Sequence, residues 1–447
     1  MVASGMGLFT RLASLLFFVS PLFAADPVLT VLPDHPTGVY ALGEKVTWTV
    51  DVKSGERAGF NAVAYAVRKD GADKVAEGTV DLSAGPATIT ASRDEPGVLL
   101  AIFPNPDKTK PQALGVGGAV YAPEKIGPSL PAPDDFDAFW DAKLKDLAAV
   151  PINPVVEKGS LDGVKNTEGL DYYKVTLDNI NGTHVQGHLA RPTAGEKFPA
   201  MLMVQFAGVY PLDKAQLLAQ ARPGWLVLNI QAHDAPADGT VAFFEELKNG
   251  ALKNYIYQGS DDRETSYFLR MLLGDVRAAE YLASRPDWDG KTLVVTGTSQ
   301  GGLQSFAAAA LDPKITHLMT LVPAGCDVYG PLATPARAFG WPYWLSNWGP
   351  RDRDPEKVKK TAGYFDPVYF AHRITCPALV APGLIDDTAR PAGILAAFNA
   401  LQGPKELVLL PLADHHGTGG SQGAYFTRFN AWKSAIQRGE PLPLPAH

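Results

Sequence analysis

The stretch Lys291–Gly302, KTLVVTGTSQGG, reads as a buried strand that breaks into a glycine-rich turn and then a helix. Leu293, Val294 and Val295 form the short apolar run of a strand covered on both faces, and the LQSFAAAAL that follows favours helix. Between them lies Gly297-Thr298-Ser299-Gln300-Gly301, a G-x-S-x-G sequence in the strand–turn–helix context that presents a serine hydroxyl above a sheet. A Cβ at either flanking glycine would collide across so tight a turn. The helix start adds free N–H groups and a positive dipole end beside the Ser299 hydroxyl. A serine placed in this way is a candidate nucleophile.

A serine hydroxyl attacks poorly until a base takes its proton and a carboxylate orients that base. The rest of the chain offers both at the ends of later apolar runs. Asp386 and Asp387 follow PALVAPG in the segment PGLIDD, and His415 and His416 follow KELVLLPLA in ADHHG. Asp327, after THLMTLVP, is a further candidate acid. Serine, acid and histidine in this order match the arrangement of α/β-hydrolases. A hole for a tetrahedral oxygen needs two backbone N–H groups. Gln300 supplies one, and the loop Ala207-Gly208-Val209-Tyr210 after FPAMLMVQF supplies the other, with Val209 the favoured donor because Gly208 lets the backbone come close.

Outward from this centre, FPAMLMVQF, GWLVLNIQ, KTLVVTG, THLMTLVP, PALVAPG and KELVLLPLA are apolar runs separated by helical segments, as a parallel sheet with crossovers requires. Helices are expected near Leu212–Gln220, Tyr267–Ser284, Leu303–Leu311, Ala392–Leu401 and Tyr425–Gln437. YYKVTLDNI and THVQGHLARP form an expected antiparallel pair turning at Asn181-Gly182. Before them, Asp134 or Asp135 caps an expected helix through Leu147 that buries Phe136, Phe139, Trp140, Leu144 and Leu147. From Pro27 to about Ile126 the pattern is β. KVTWTVDV places Val46, Trp48, Val50 and Val52 on one face, and FNAVAYAV, TVDLS, ATITAS, VLLAIF and ALGVGGAVY follow between turn signals such as Asp70-Gly71. The expected organisation is a signal peptide at 1–25, an immunoglobulin-like β-sandwich at 26–126 and an α/β-hydrolase domain at 127–447.

The signal reading rests on Arg11, the apolar core LASLLFFVSPLF and the small residues Ala24 and Ala25. That core is shorter than the roughly 20 residues needed to span a bilayer, so the expected location is secreted or periplasmic. With 40 basic against 47 acidic residues and a net charge of −7, the chain lacks the positive footprint of nucleic-acid or anionic-membrane binding. Cys326 and Cys376, the two cysteines, fall at opposite edges of an expected parallel sheet, too far apart for a disulfide. The segment Phe339–Pro350, FGWPYWLSNWGP, carries Trp341, Tyr343, Trp344 and Trp348. Stacking on sugars, walling an acyl pocket, packing on the body and contacting another subunit are all open to it. His233 and Asp234 read as a hydrogen-bonded loop pair at the catalytic edge.

PAPDDFDAFWDAKLKDL (131–147), GTSQGG (297–302), GLIDDTARPAGILAAFNAL (383–401) and the histidine loop together resemble the acetylxylan esterase and cephalosporin C deacetylase family of α/β-hydrolases, over most of residues 131–437. The resemblance implies a serine esterase that removes acetyl groups from carbohydrates, with no cofactor and no metal. It makes Ser299 the nucleophile, Asp386 the acid, His415 the base, and the Val209 and Gln300 amides the oxyanion hole. The implied partner is an acetylated oligosaccharide or other small acetyl ester, and a homo-oligomer is compatible with it. Three departures stand out. Gln231-Ala232-His233 replaces the usual Arg-Gly-Gln, His416 replaces a glutamate, and Ala207-Gly208-Val209 replaces His-Gly-Tyr. The alternatives are a prolyl-oligopeptidase-type peptidase, a general carboxylesterase and a non-catalytic carbohydrate-binding protein.

Overall fold

The computed structural model describes residues 28–53, 57, 59–110 and 112–445, so the leader expected at 1–25 lies outside the described residues. Eight described strands make up the N-terminal part: β1 (Leu29–Pro33), β2 (Val39–Tyr40), β3 (Lys45–Val52), β4 (Val63–Lys69), β5 (Asp73–Val80), β6 (Ala87–Ser92), β7 (Gly97–Phe103) and β8 (Gly115–Tyr121). They form a three-stranded sheet, β1-β3-β6, and a five-stranded sheet, β2-β8-β7-β4-β5. The expected face of β3 is buried, and Val46, Trp48, Val50 and Val52 share a core with Leu99, Ala101, Phe103, Ala119 and Tyr121 of the other sheet. Two packed sheets of this kind are a sandwich, not a bladed propeller, which removes the architecture a prolyl-oligopeptidase-type reading calls for.

Strand β7 has a second buried face. Val98 and Leu100, with Val120 of β8, belong to the core of the following α/β part, while Leu99, Ala101 and Phe103 face the sandwich interior. A strand covered on both sides loses the polar alternation of a half-exposed one, which is why VLLAIF is apolar throughout. The two parts therefore share a packed boundary.

The second part begins with α1 (Phe136–Ala148), which buries Phe136, Phe139, Trp140 and Leu147, with Leu144 only half-buried. Asp135 occupies the cap position without capping. Its carboxylate instead accepts from Arg263 at 2.7 Å and from the Tyr364 hydroxyl, because a charged partner within reach outcompetes the helix amides. Then come β9 (Val155–Lys158), β10 (Leu170–Asp178), β11 (His184–Pro192), β12 (Phe198–Val204), α2 (Lys214–Ala221), β13 (Leu226–Ile230), α3 (Val241–Asn249), α4 (Tyr267–Ser284), β14 (Trp288–Thr298) and α5 (Gln300–Leu311). β15 (His317–Leu321), α6 (Pro355–Ala362), α7 (Pro367–Phe370), β16 (Ala378–Ala381), α8 (Pro391–Ala400), β17 (Lys405–Leu407) and α9 (Gly423–Arg438) complete it.

The sheet order is β17-β16-β15-β14-β12-β13-β11-β10-β9. Strands β17 to β13 in that order run parallel, and β11, β10 and β9 are antiparallel. β10 and β11 turn where expected, with Asn181 and Gly182 at φ 55° and 68°. This is an α/β-hydrolase fold behind a β-sandwich. Helices α3, α6 and α7 and strands β1, β2 and β9 were not anticipated individually, and two of the expected strands differ markedly in extent. TVDLS overlaps only the end of β5, and KELVLLPLA yields the three-residue β17, the pairing lapsing after Leu407 and resuming in the same register as a single bridge between Gly383 and Leu410.

Both cysteines are unpaired, with Cys326 beyond the carboxyl end of β15 and Cys376 ahead of β16. Burial raises both thiol pKa values, that of Cys376 to about 11. Thiol titration of the denatured, unreduced protein should find two free thiols per chain, and the native protein should react slowly at neutral pH. Finding none after denaturation would overturn the strand placement.

Candidate active site

Every parallel strand of the sheet ends at one edge, and the loops there converge on Ser299. Its backbone sits at φ 58°, ψ −121°, a conformation costly for any residue with a Cβ. It persists because the surroundings hold it from both sides. Ser299 N–H donates to Leu321 O at 3.1 Å, and Ser299 O accepts from Ala324 N–H at 2.9 Å and Gly302 N–H at 2.8 Å. The flanking glycines are where the chain crosses itself. A Cβ on Gly297 would lie 2.4 Å from the Gly301 carbonyl group, and one on Gly301 would lie 2.7 Å from Val204 O.

His415 meets this serine directly, its Nε2 standing 2.8 Å from Ser299 Oγ. On the other side, Nδ1 lies 2.7 Å from Asp386 Oδ2. A carboxylate can only accept, so Nδ1 carries the proton and Nε2 is left to accept from the serine hydroxyl. Asp386 is 0 % exposed, and its Oδ1 accepts from Thr388 N–H at 2.8 Å and Ala389 N–H at 2.7 Å. The acid and base loops are also tied together, through Leu384 N–H to Leu410 O at 3.0 Å and Ile385 N–H to Ala413 O at 3.3 Å. Burial by itself would lower the His415 pKa. The charge and hydrogen bond of Asp386, with the charges of Asp387 and Asp414, outweigh it and raise the pKa above the ordinary 6.5.

The other candidate acids point elsewhere. Asp387 accepts from the Thr388 hydroxyl at 3.2 Å. Asp327 is committed to Ser129, through its N–H at 2.8 Å and its hydroxyl at 2.5 Å, and to Arg337. His416 is exposed, with its ring edge-on to His415.

Val209 and Gln300 are the two expected oxyanion donors. Neither backbone N–H has a hydrogen-bond partner among the described residues. Gln300 follows Ser299 as the first residue of α5, and Val209 is buried in a small cluster with Ala235, Phe244 and Tyr255. Tyr255 carries no motif; it enters by position alone, its hydroxyl donating to Gln300 Oε1 at 2.6 Å and accepting from Gly208 N–H at 3.1 Å. The loop pair expected between His233 and Asp234 does not form. His233 turns inward to Gly208 O and Tyr267, while Asp234 accepts from His184 N–H at 3.0 Å and Gln186 Nε2 at 3.0 Å.

The aromatic segment divides by burial. Trp341 and Trp344 pack on Phe268 with ring centroids 5.7 and 4.8 Å apart, and Trp344 Nε1 donates to Ile256 O at 2.6 Å. Trp348 is 70 % exposed and leans on Tyr343 at 4.8 Å. The segment is tied to the loop after β15 by Gly325 N–H to Trp341 O and to the Asp386 loop by Trp341 N–H to Thr388 O. A separate crevice of about 650 Å³ lies between the sheet and helices α2 and α9, bordered by Gln205, Phe206, Tyr210, Thr298, Tyr425 and Phe429. None of Ser299, Asp386 and His415 lines it.

The acetyl xylan esterase (AXE1) family model matches residues 124–433, more than half of the chain. The chain belongs to the acetyl xylan esterase family. A curated relative, the acetyl esterase Axe7A of Xylanibacter ruminicola, is 31% identical over 405 residues, covering 89% of this chain and 88% of its own. The acetyl xylan esterase from Paenibacillus sp. R4 is a similar solved structure, with TM-score 0.57, 26% identity, and coverage of 69% of this chain and 97% of that one. Acetyl xylan esterase 1 from Thermoanaerobacterium sp. JW/SL YS485 shares the fold at TM-score 0.58 and 20% identity, covering 73% and 98%. The match to Axe7A reaches well beyond the residues of the acetyl xylan esterase family model.

The elbow contact generates a test. Gly297→Ala places a methyl 2.4 Å from backbone, which cannot swing aside like a flexible side chain. The strain should lower stability by about 1–3 kcal/mol, read as a reduced denaturation midpoint, and displace Ser299. Wild-type stability in this variant would contradict the crossing.

Proposed function

We propose that this chain is an exported serine esterase that removes acetyl groups from carbohydrate. The observation that carries the reading is the unbroken hydrogen-bond chain from Asp386 through His415 to Ser299. Family membership and the acetyl esterase relative support the acetyl and carbohydrate parts. The expected leader at residues 1–25 supports export.

In this mechanism Ser299 Oγ attacks the ester carbonyl while its proton passes to His415 Nε2. The carbonyl oxygen becomes an oxyanion and accepts from the Val209 and Gln300 N–H groups. Collapse breaks the bond to the alcohol oxygen, which leaves with the proton from His415, and acetyl remains on Ser299. Water then attacks the acyl-enzyme, giving its proton to His415. The second oxyanion collapses, acetate departs and the proton returns to Ser299 Oγ. Asp386, buried and doubly held by amides, keeps His415 in the tautomer both halves need and stabilises the imidazolium that forms.

The base works only when neutral, so activity rises with pH through the His415 pKa. Since that pKa is raised, the acidic limb of kcat/KM should have its midpoint above 6.5. Asp387→Asn removes one of the charges that raise it and should move the limb to lower pH while plateau kcat changes little. Asp386→Asn should cost about 10⁴ in kcat, as loss of the orienting acid does in serine hydrolases. The reverse ranking of the two variants would reassign the acid.

Acyl selectivity tests the substrate class. An acyl chain that pulls the carbonyl away from one amide forfeits about 2.7–4 kcal/mol, so kcat/KM should fall steeply from acetyl to octanoyl esters of 4-nitrophenol. Acetylated xylo-oligosaccharides should release acetate, and Ser299→Ala should abolish both activities by about 10⁴ or more. Equal kcat/KM for acetyl and octanoyl esters would point to a general carboxylesterase. Fluorophosphonate labelling at another serine would reject the nucleophile.

A further inference from the structure

The peptide between Gly208 and Val209 carries the N–H that the proposed mechanism aims at the oxyanion, and its orientation is set by neighbours outside the triad. A peptide group is planar and trans, so its C=O and N–H point in opposite directions. Whatever holds the Gly208 carbonyl therefore aims the Val209 amide. That carbonyl lies 2.8 Å from His233 Nε2. A carbonyl can only accept, so Nε2 must carry the ring proton, leaving Nδ1 to accept from the Tyr267 hydroxyl at 2.6 Å. His233 is 0 % exposed, and burial pushes its pKa down to about 4, which keeps the ring neutral and in one tautomer at working pH.

The preceding peptide is held as well. Gly208 N–H donates to Tyr255 OH at 3.1 Å, and Tyr255 OH donates to Gln300 Oε1 at 2.6 Å. One tyrosine thus joins Gly208, the residue before the Val209 donor, to the side chain of Gln300. The hinge between these anchored peptides is Gly208 at φ 128°, a conformation glycine adopts without strain. Without anchors such a hinge lets the peptide rotate, which would turn a carbonyl toward the site in place of an N–H.

We infer that His233 and Tyr255 are positioning residues that clamp the Gly208–Val209 peptide with its N–H facing the oxyanion. The inference rests on the esterase reading above. Neither residue touches substrate; each acts through the backbone it holds. The substrate class that depends on the clamp is any ester whose hydrolysis passes through a tetrahedral oxyanion on Ser299.

The test uses the full enzyme, 4-nitrophenyl acetate, and trifluoroacetone, a ketone that adds to a serine hydroxyl and mimics the oxyanion. His233→Ala should lower kcat by about 10²–10³, the effect of losing one oxyanion donor, with KM changing little. Its affinity for trifluoroacetone should weaken in parallel, a change that loss of fold stability alone does not produce. His233→Gln, whose amide can still donate to Gly208 O, should recover at least about ten-fold of the loss. Tyr255→Phe should lower kcat by roughly ten-fold or more at constant KM, since the hinge keeps one anchor. If His233→Ala does not fold, His233→Gln and Tyr255→Phe decide the matter. Wild-type kcat in Tyr255→Phe, a His233→Gln variant no better than His233→Ala, or a kcat loss with unchanged trifluoroacetone affinity would overturn the clamp. A wild-type enzyme that fails to turn over acetyl esters would instead reject the esterase reading itself.

Discussion

The crossing of Gly297 over Gly301 is the contact on which the site depends. It lets strand β14 turn directly into helix α5, with Ser299 forced into a positive-φ conformation at the apex. Such strain survives only where surrounding structure over-determines it. Here the neighbours are β15 and its following loop, whose Leu321 carbonyl and Ala324 amide grip the Ser299 peptide groups. The same contact draws α5 against β12, because Gly301 approaches Val204 O too closely for any side chain. One small-residue crossing thus places the hydroxyl, the Gln300 amide and the end of β12 together, and β12 leads into the loop that carries Val209.

The β-sandwich adds a second support. Its β8 presents Gly118 so close to Leu384 that a Cβ there would sit 2.9 Å from the Leu384 Cβ, and Gly38 meets the same leucine from the neighbouring turn. Leu384 and Ile385 immediately precede Asp386. The acid loop is therefore enclosed between the sandwich on one side and the histidine loop on the other, where Gly383 packs on Ala413 O. A further tie runs from Ala338 N–H to Asp70 O, joining the sandwich to the start of the aromatic segment. The large aromatics Trp48, Phe103 and Tyr121 lie in the sandwich's own core, and Val98, Leu100 and Val120 make the boundary with the α/β part.

Two histidines, one on Ser299 and one on Gly208, are pushed in opposite directions. His415 faces Asp386 across a short hydrogen bond, and negative charge wins over burial to raise its pKa. His233 hydrogen-bonds a carbonyl and a phenol, and burial, with the nearby Arg270 charge, lowers its pKa. Environments that separate the pKa values of like groups separate their roles as well. One ring is suited to take a proton near neutrality, and the other to keep its own.

The amino-acid sequence by itself determined the elbow, the parallel α/β order, the β-rich N-terminal part, and the Ser, Asp, His succession. All of these are short-range: glycines required by a turn, apolar runs of strand length, and acidic or basic residues just past a strand end. Even the unanticipated helices were marked locally, since Thr240 caps α3 and the pairs Asp354-Pro355 and Asp366-Pro367 open α6 and α7. Only the tertiary structure decided which of three aspartates meets His415, that Trp341 and Trp344 are packing residues while Trp348 is exposed, and that His233 and Tyr255 grip Gly208. Asp386 and Asp387 are adjacent and chemically alike, and only the direction in which the loop turns them, with Asp327 drawn off by Arg337 and Ser129, tells them apart. Ser299 and His415 stand 116 residues apart in the chain, and the tyrosine that reaches Gly208 is 47 away from it. Side-chain direction across such distances is set by packing against other elements, which no local pattern encodes.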